Sequence, residues 1–395
     1  MGGMPQGSTV GLVIAGAGAR GAYEMGALSV LLPWLHGRGE DPRIVVGTSA
    51  GAMNAVLVAA ATDLADPEAA AGVGLDVWRS IARESVFNPL LPTGIASTLR
   101  YLGGLLGAPT RLEGLLDVRP LRRTLADFGR WPVLHEAVAS GRLDAVAVLA
   151  TATGAGGAAV RTDVFTEARG PLPPDDDRRG VRYVPVELTP DHVLASAAIP
   201  VAFPPVRVDV AGRRGWYLDG GVRLNAPVKP ALELGADRLV VVATHPLDRG
   251  PEPLPDDDGD APDVFSAAAA VMTAALVDRM VDDVRSLRRV NRIVADGART
   301  GGYRHVPCLF VGPSRPEAIA DAAREVLATT YRRPFAGDFA VLNRLVGGSQ
   351  RAHAELLSFL LFDHDFVDAL VDLGRRDAAA ALAVPDPWAA PQPLA

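Results

Sequence analysis

The apolar residues from Thr9 to Ala15 run almost unbroken into Gly16, the pattern of a short strand buried on both faces. From Gly21 to Leu35 the period changes. Met25, Leu28, Leu31, Leu32 and Leu35 recur at helical spacing, and Pro33 marks a point where that helix ends or kinks. Ile44-Val45-Val46 predicts a second strand, and Thr48 to Thr62 a second helix. Strand, helix, strand, helix at these lengths predicts βαβ units and a parallel sheet.

Downstream the pattern is looser. Asn88 to Leu116 mixes Pro, Gly and Leu and reads as a mobile cap, after which a helix starts with Asp117 at its N-cap. Leu143–Ala152 and Gly157–Thr166 read as strands joined by the turn "TGAGG". Asp191–Ala198 reads as a short helix stopped by Pro200, Pro204 and Pro205. Val206–Leu218 resembles a hairpin turning at Gly212, and Arg238–Ala243 and Val306–Val311 are further strands. Ala267–Val294 and much of Pro316–Leu382 read as helical, and "VPDPWAAPQPLA" as a loose tail. Two acidic, proline-rich stretches near 171–180 and 248–263 lack periodicity and are expected to be partly disordered surface loops.

Composition narrows the function classes. The chain has 395 residues with 49% hydrophobic and 22% charged, an ordinary balance for a globular protein. A net charge of -7 argues against a nucleic-acid partner. Cys308 is the only cysteine and lies in an apolar run, so it reads as packing and leaves no intramolecular disulfide. No Lys or Arg precedes Arg20, so no basic n-region of a signal peptide is seen, and a cytoplasmic location is expected. The uncharged run from Ile44 to Thr62 is interrupted by "GTSAG" and rich in Ala, Gly, Ser and Thr. It reads as strand, turn and buried helix rather than a transmembrane segment, so any membrane contact is expected to be peripheral.

Three stretches carry candidate chemistry. Gly16-Ala17-Gly18-Ala19-Arg20-Gly21 follows a strand and opens a helix, as a dinucleotide-binding loop does. The acidic residue such a site needs about 20 positions on would be Glu40 or Asp41, and both precede the second strand instead of ending it. The same loop can present backbone N–H groups to an oxyanion. Gly47-Thr48-Ser49-Ala50-Gly51 matches G-x-S-x-G between a strand and a helix, the setting of a nucleophile elbow, although a plain Gly-Ser turn has the same letters. Asp219-Gly220-Gly221 ends a strand-like segment; it is an ordinary turn, or a base for the elbow serine if the fold brings the two together. His245, at a strand end, is the histidine best placed to complete a Ser–acid–His order, though a solvated loop histidine is the plainer reading.

The blocks "GARGAYEMGAL", "GTSAGAMNA", "ASAAIPVAFPPV" and "LDGGVRLNAPVKPALELGAD", in this order, resemble the patatin-like phospholipases. The resemblance implies a three-layer α/β/α core with a mostly parallel central sheet, here over 8–315, and a helical C-terminal extension over 316–395 with a loose tail. It implies a lipid acyl hydrolase acting on phospholipids or lysophospholipids, without cofactor or metal. Ser49 would be the nucleophile, Asp219 the general base, and Gly16, Ala17, Gly18 and Ala19 the oxyanion loop. Arg20, Gly21, Gly47, Gly51, Gly220 and Gly221 would support them, with Arg20 either binding a lipid phosphate or holding the loop by an ion pair. Family members usually carry three successive glycines where this chain has Ala17 in the middle, and Ala tolerates positive φ poorly. A lipid acyltransferase using the same dyad, or a lipid-binding protein with a spoiled oxyanion hole, are the alternatives.

Overall fold

A computed structural model describes residues 8–63, 66–81, 116–128, 130–154, 160–200, 202–210, 213–247, 279–296, 303–330 and 357–389, together with 86, 114, 354 and 355. Asn88–Leu116 lies almost wholly outside these residues. So do most of "TGAGG", Gly212, the 248–263 loop, the first part of the Ala267–Val294 stretch and the last six residues.

The strands are β1 (Val10–Ile14), β2 (Pro42–Thr48), β3 (Ala145–Thr153), β4 (Arg161–Ala168), β5 (Val181–Pro185), β6 (Val206–Val210), β7 (Arg213–Asp219), β8 (Arg238–Val242) and β9 (Cys308–Val311). They form one sheet in the order β5-β4-β3-β2-β1-β8-β9, with β7 paired to β3 and β6 to β7. The centre is parallel: β1 runs with β2 and β8, β2 with β3, and β8 with β9. Antiparallel pairs occur where β3 meets β4 and β7, and in the β6–β7 hairpin.

The helices are α1 (Gly21–His36), α2 (Ala50–Ala59), α3 (Pro67–Ser80), α4 (Arg119–Asp127), α5 (Trp131–Ala139), α6 (Pro190–Ser196), α7 (Val228–Glu233), α8 (Arg279–Ala295), α9 (Ala318–Thr330) and α10 (His364–Leu382). Alternate residues of β1 feed two cores, as the period of a strand requires. Leu12 and Ile14 join α1, α2, α3 and α10 on one face, while Val13 and Ala15 join Val228 and Ala231 of α7 and Val284 and Leu287 of α8 on the other. The result is a three-layer α/β/α arrangement with helices at the C-terminal end of the chain. α1 and α2 are buried almost all round, which is why their sequences are apolar without a strong polar stripe.

Several expectations need correcting. Pro33 does not end α1, which runs on to His36. Asp117 is not the N-cap: the helix starts at Arg119, although the Asp117 carboxylate still accepts the Arg119 N–H at 3.1 Å. β5 had no counterpart in the sequence pattern, because its burial comes from pairing with β4 rather than from an apolar run. The 171–180 loop is fixed, since Asp175 accepts the Tyr183 N–H at 2.9 Å and Asp176 pairs with Lys229, the only lysine. The tail is not loose as far as Ala389. Trp388 is buried, its ring lies 3.8 Å under the Arg238 guanidinium, and its Nε1 donates to Glu40. Cys308 packs within β9 as expected, and burial pushes its thiol up to about 12.

α10 crosses α1 at close range, with a glycine of each helix against a backbone carbonyl of the other. A Cβ on Gly26 would lie 2.3 Å from the Val371 carbonyl oxygen, and one on Gly374 would lie 2.0 Å from the Tyr23 carbonyl oxygen. Tyr23 also donates its hydroxyl to Asp377 at 3.1 Å. In a free helix, Gly to Ala is worth about 1 kcal/mol of stabilisation. Gly374→Ala is therefore expected to have the opposite sign here. Urea unfolding should show a loss of about 1–3 kcal/mol, the usual cost of overpacking.

Candidate active site

The site forms where β3 changes partner. β2 pairs with β3 only as far as Thr48 opposite Leu149, and from Ala150 onward β7 takes the same edge with Asp219 opposite Ala150. Ser49 is the next residue after Thr48. The register thus sets Ser49 beside Asp219, although 170 positions separate them.

Ser49 sits at φ 55° and ψ -124°, the only non-glycine residue with positive φ among those described. Such backbone costs of order 1–3 kcal/mol and has to be held in place. Its N–H donates to Ser196 Oγ at 2.9 Å, and the Ser196 hydroxyl donates to the Leu149 carbonyl at 2.5 Å, so Ser196 is oriented to accept. Gly51 lets α2 start directly over β1, because a Cβ there would lie 2.4 Å from the Ile14 carbonyl oxygen. Gly47, Gly21 and Gly220 are likewise at close approaches, to Gly51, Trp78 and Leu149 respectively.

The Ser49 hydroxyl donates to Asp219 Oδ2 at 2.6 Å. Asp219 Oδ1 accepts the Gly221 N–H at 2.8 Å, its own N–H donates to the Ala198 carbonyl, and its carbonyl accepts the Thr151 hydroxyl. Both side chains are buried. Burial raises the Asp219 carboxyl to about 7, against the opposing pull of the Ser49 and Gly221 hydrogen bonds.

The Gly16–Ala19 loop faces Ser49 unevenly. The Gly16 N–H is committed to the Asn225 carbonyl at 3.2 Å, and the Ala19 N–H to the Phe359 carbonyl at 2.8 Å. These two differ from the sequence expectation, because neighbouring carbonyls already occupy them. Among the described residues, the N–H groups of Ala17 and Gly18 meet no backbone acceptor. Positive φ falls on Gly18 (+57°), whose missing side chain also leaves room for the Phe359 carbonyl at 2.4 Å from where a Cβ would be. Ala17 has φ -147°, not the positive φ that favours glycine, so the left-handed position of the loop falls on Gly18 and not on the alanine.

Arg20 is buried and engaged on every side. It pairs with Glu355 Oε1 at 2.9 Å, donates to Ser358 Oγ, contacts His245 Nε2 at 2.9 Å and stacks 3.8 Å over the Phe359 ring. Of its two expected roles the geometry matches the ion pair that holds the loop. Glu355 is drawn down to about 2 by Arg20 and His245 against its own desolvation. His245 belongs to this cluster and not to the serine.

Three nearby residues escaped the sequence reading. Ala50 follows the serine at the first turn of α2, where N–H groups lack intrahelical acceptors. Ser196 lies inside the "ASAAIP" block, but nothing in that pattern marks its hydroxyl as a partner of Ser49. Met53 lies one turn along α2 from Ser49 and borders the same narrow cleft, with Trp78, Leu121, Phe203 and Phe362. Among the described residues, no group of three or more His, Cys, Asp or Glu is arranged to hold a metal ion, and no helix is long and apolar enough to cross a membrane.

Comparison with known proteins places this geometry in a family. Residues 12–232 match the patatin family, described as patatin-like phospholipase. No curated protein sequence matches the chain. Among solved structures, the crystal structure of VipD from Legionella pneumophila aligns at 16% identity with a TM-score of 0.35, covering 94% of this chain and 67% of that one, too distant a likeness to argue from. The family match spans more than half of the chain, and it includes the elbow, the glycine loop and Asp219: the protein belongs to the patatin-like phospholipases, a family of lipid acyl hydrolases.

Proposed function

We propose that the protein hydrolyses fatty acyl esters of phospholipids or lysophospholipids through a Ser49–Asp219 dyad. The observation that carries this reading is the 2.6 Å hydrogen bond from Ser49 Oγ to Asp219 Oδ2 at a strained elbow. Ser49 Oγ attacks the ester carbonyl carbon while its proton passes to Asp219. The oxyanion of the tetrahedral intermediate is met by the N–H groups of Ala17, Gly18 and Ala50, next to the positive end of α2. The intermediate collapses, the C–O bond to the lipid alcohol breaks, and the alcohol leaves with the proton from Asp219. Water then attacks the acyl-enzyme, Asp219 takes its proton, and collapse releases the fatty acid as the proton returns to Ser49. No histidine is needed, because a carboxyl near 7 holds a proton well enough to act as both base and acid at neutral pH. The lipid substrate puts the reaction at a membrane or micelle surface.

The test is a lipid-class panel read by mass spectrometry, wild type against Ser49→Ala and Asp219→Asn. Both variants are expected to lose at least 10³-fold in kcat/KM while keeping the native circular dichroism spectrum. A Ser49→Ala protein with full activity overturns the mechanism. Capture of the acyl group by an added alcohol in preference to water makes the protein a transferase with the same dyad. Failure of a fluorophosphonate to label Ser49 favours a lipid-binding protein.

The pH dependence has a definite sign. The base must be ionised, so kcat/KM should rise with pH and level off above about 7. A profile flat from pH 5 to 9 excludes Asp219 as the base. Stability runs the other way. The unfolded chain gives up this proton near pH 4 and the folded one near 7, so between these values the native state binds more protons and this group's contribution falls as pH rises. Asn cannot titrate; its Oδ1 can accept the Gly221 N–H while its Nδ2 donates to Ser49 Oγ, reversing the direction of that bond. Asp219→Asn is therefore expected to be more stable than wild type at pH 8, by a margin that shrinks toward pH 4 in urea unfolding.

A further inference from the structure

The cleft beside Ser49 holds only about 20 Å³, room for a single water and not for an acyl chain. A second cavity of about 400 Å³ adjoins it, lined by Val56, Leu57, Val77, Leu125, Phe128 and Trp131. Exposed Ser80 and Asp127 border its outer side. The same three helices wall both spaces. α2 and its N-cap Ser49 give Ser49 and Ala50 to the cleft and Val56 and Leu57 to the cavity; α3 gives Trp78 and then Val77; α4 gives Leu121 and then Leu125. Met53 alone borders both. Ser49, Met53, Val56 and Leu57 fall at helical spacing, so they lie along one face of α2.

We infer that cleft and cavity are two compartments of one channel, and that the substrate's fatty acyl chain runs from Ser49 past Met53 into the larger one. The inference rests on the proposed role of Ser49. Met53 is the residue that sets passage. Its unbranched side chain has three rotatable bonds and can swing aside at little cost, which a β-branched residue cannot do. The distance along α2 from Ser49 to Leu57 is about 12 Å, the length of an extended chain of about ten carbons. Chains of that length and above fill the cavity; butyryl and acetyl groups stop short of it.

The experiment measures kcat/KM for p-nitrophenyl esters from acetate to decanoate, below their micelle concentrations. Each methylene that enters an apolar site is worth about fourfold, so the wild-type value should climb steeply between butyrate and decanoate. Val77→Trp and Thr124→Trp fill the cavity from opposite walls at half-buried positions. Each should lower the decanoate-to-butyrate ratio at least tenfold, and Met53→Ile should lower it at least fivefold. A wild-type profile flat from butyrate to decanoate, or a ratio unchanged within twofold in either folded Trp variant, overturns the channel and leaves the dyad standing. A wild type that turns over none of the esters overturns the dyad, and the channel falls with it.

Discussion

β3 lends one edge to two partners in turn, parallel β2 as far as Leu149 and antiparallel β7 from Ala150 onward. The site exists because of that handover. A parallel strand has to leave the sheet at its carboxyl end, and here it leaves through a tight turn into α2. The vacated edge of β3 is filled by a strand arriving from the opposite direction, whose last residue is Asp219. Neither side chain needs a long reach. The hydrogen bond between them is a product of sheet register.

Around that point the protein accumulates local costs and offsets them with contacts. Ser49 holds an unfavourable backbone conformation, and Asp219 holds a carboxyl away from water. Ser196, the Gly221 N–H and the Thr151 hydroxyl keep these groups where they are. The burial that penalises the Asp219 charge is also what brings its proton affinity close to that of a useful neutral-pH base.

The strands at the centre of the sheet and the helices beside them were legible in the sequence, because β1, β2 and β8 are continuous apolar runs and α1 and α2 follow helical spacing. The letters around Ser49 and Asp219 were legible too, but not their adjacency, which depends on how β7 pairs. The loop was readable only in part. Which N–H groups stay open is decided by carbonyl oxygens of Asn225 and Phe359, and a backbone carbonyl leaves no mark in a sequence. The docked tail was missed for a related reason. Composition describes "VPDPWAAPQPLA" as a loose tail, while the partners that bury Trp388, Arg238 and Glu40, lie far off in the chain.

The clamp on the glycine loop has a consequence for the order in which the molecule is made. The Glu355 and Ser358 side chains that shape Arg20 follow it by 335 and 338 positions, and the Phe359 carbonyl that fixes Ala19 lies beside them. At translation rates of about 5–20 residues per second, β1 to β8, the elbow and Asp219 emerge many seconds before those partners do. A nascent chain therefore carries Ser49 and Asp219 before the partners that shape the glycine loop exist. The segment that completes the loop's contacts lies just ahead of α10, so the conformation of Gly16–Arg20 waits on a stretch of chain made long after it.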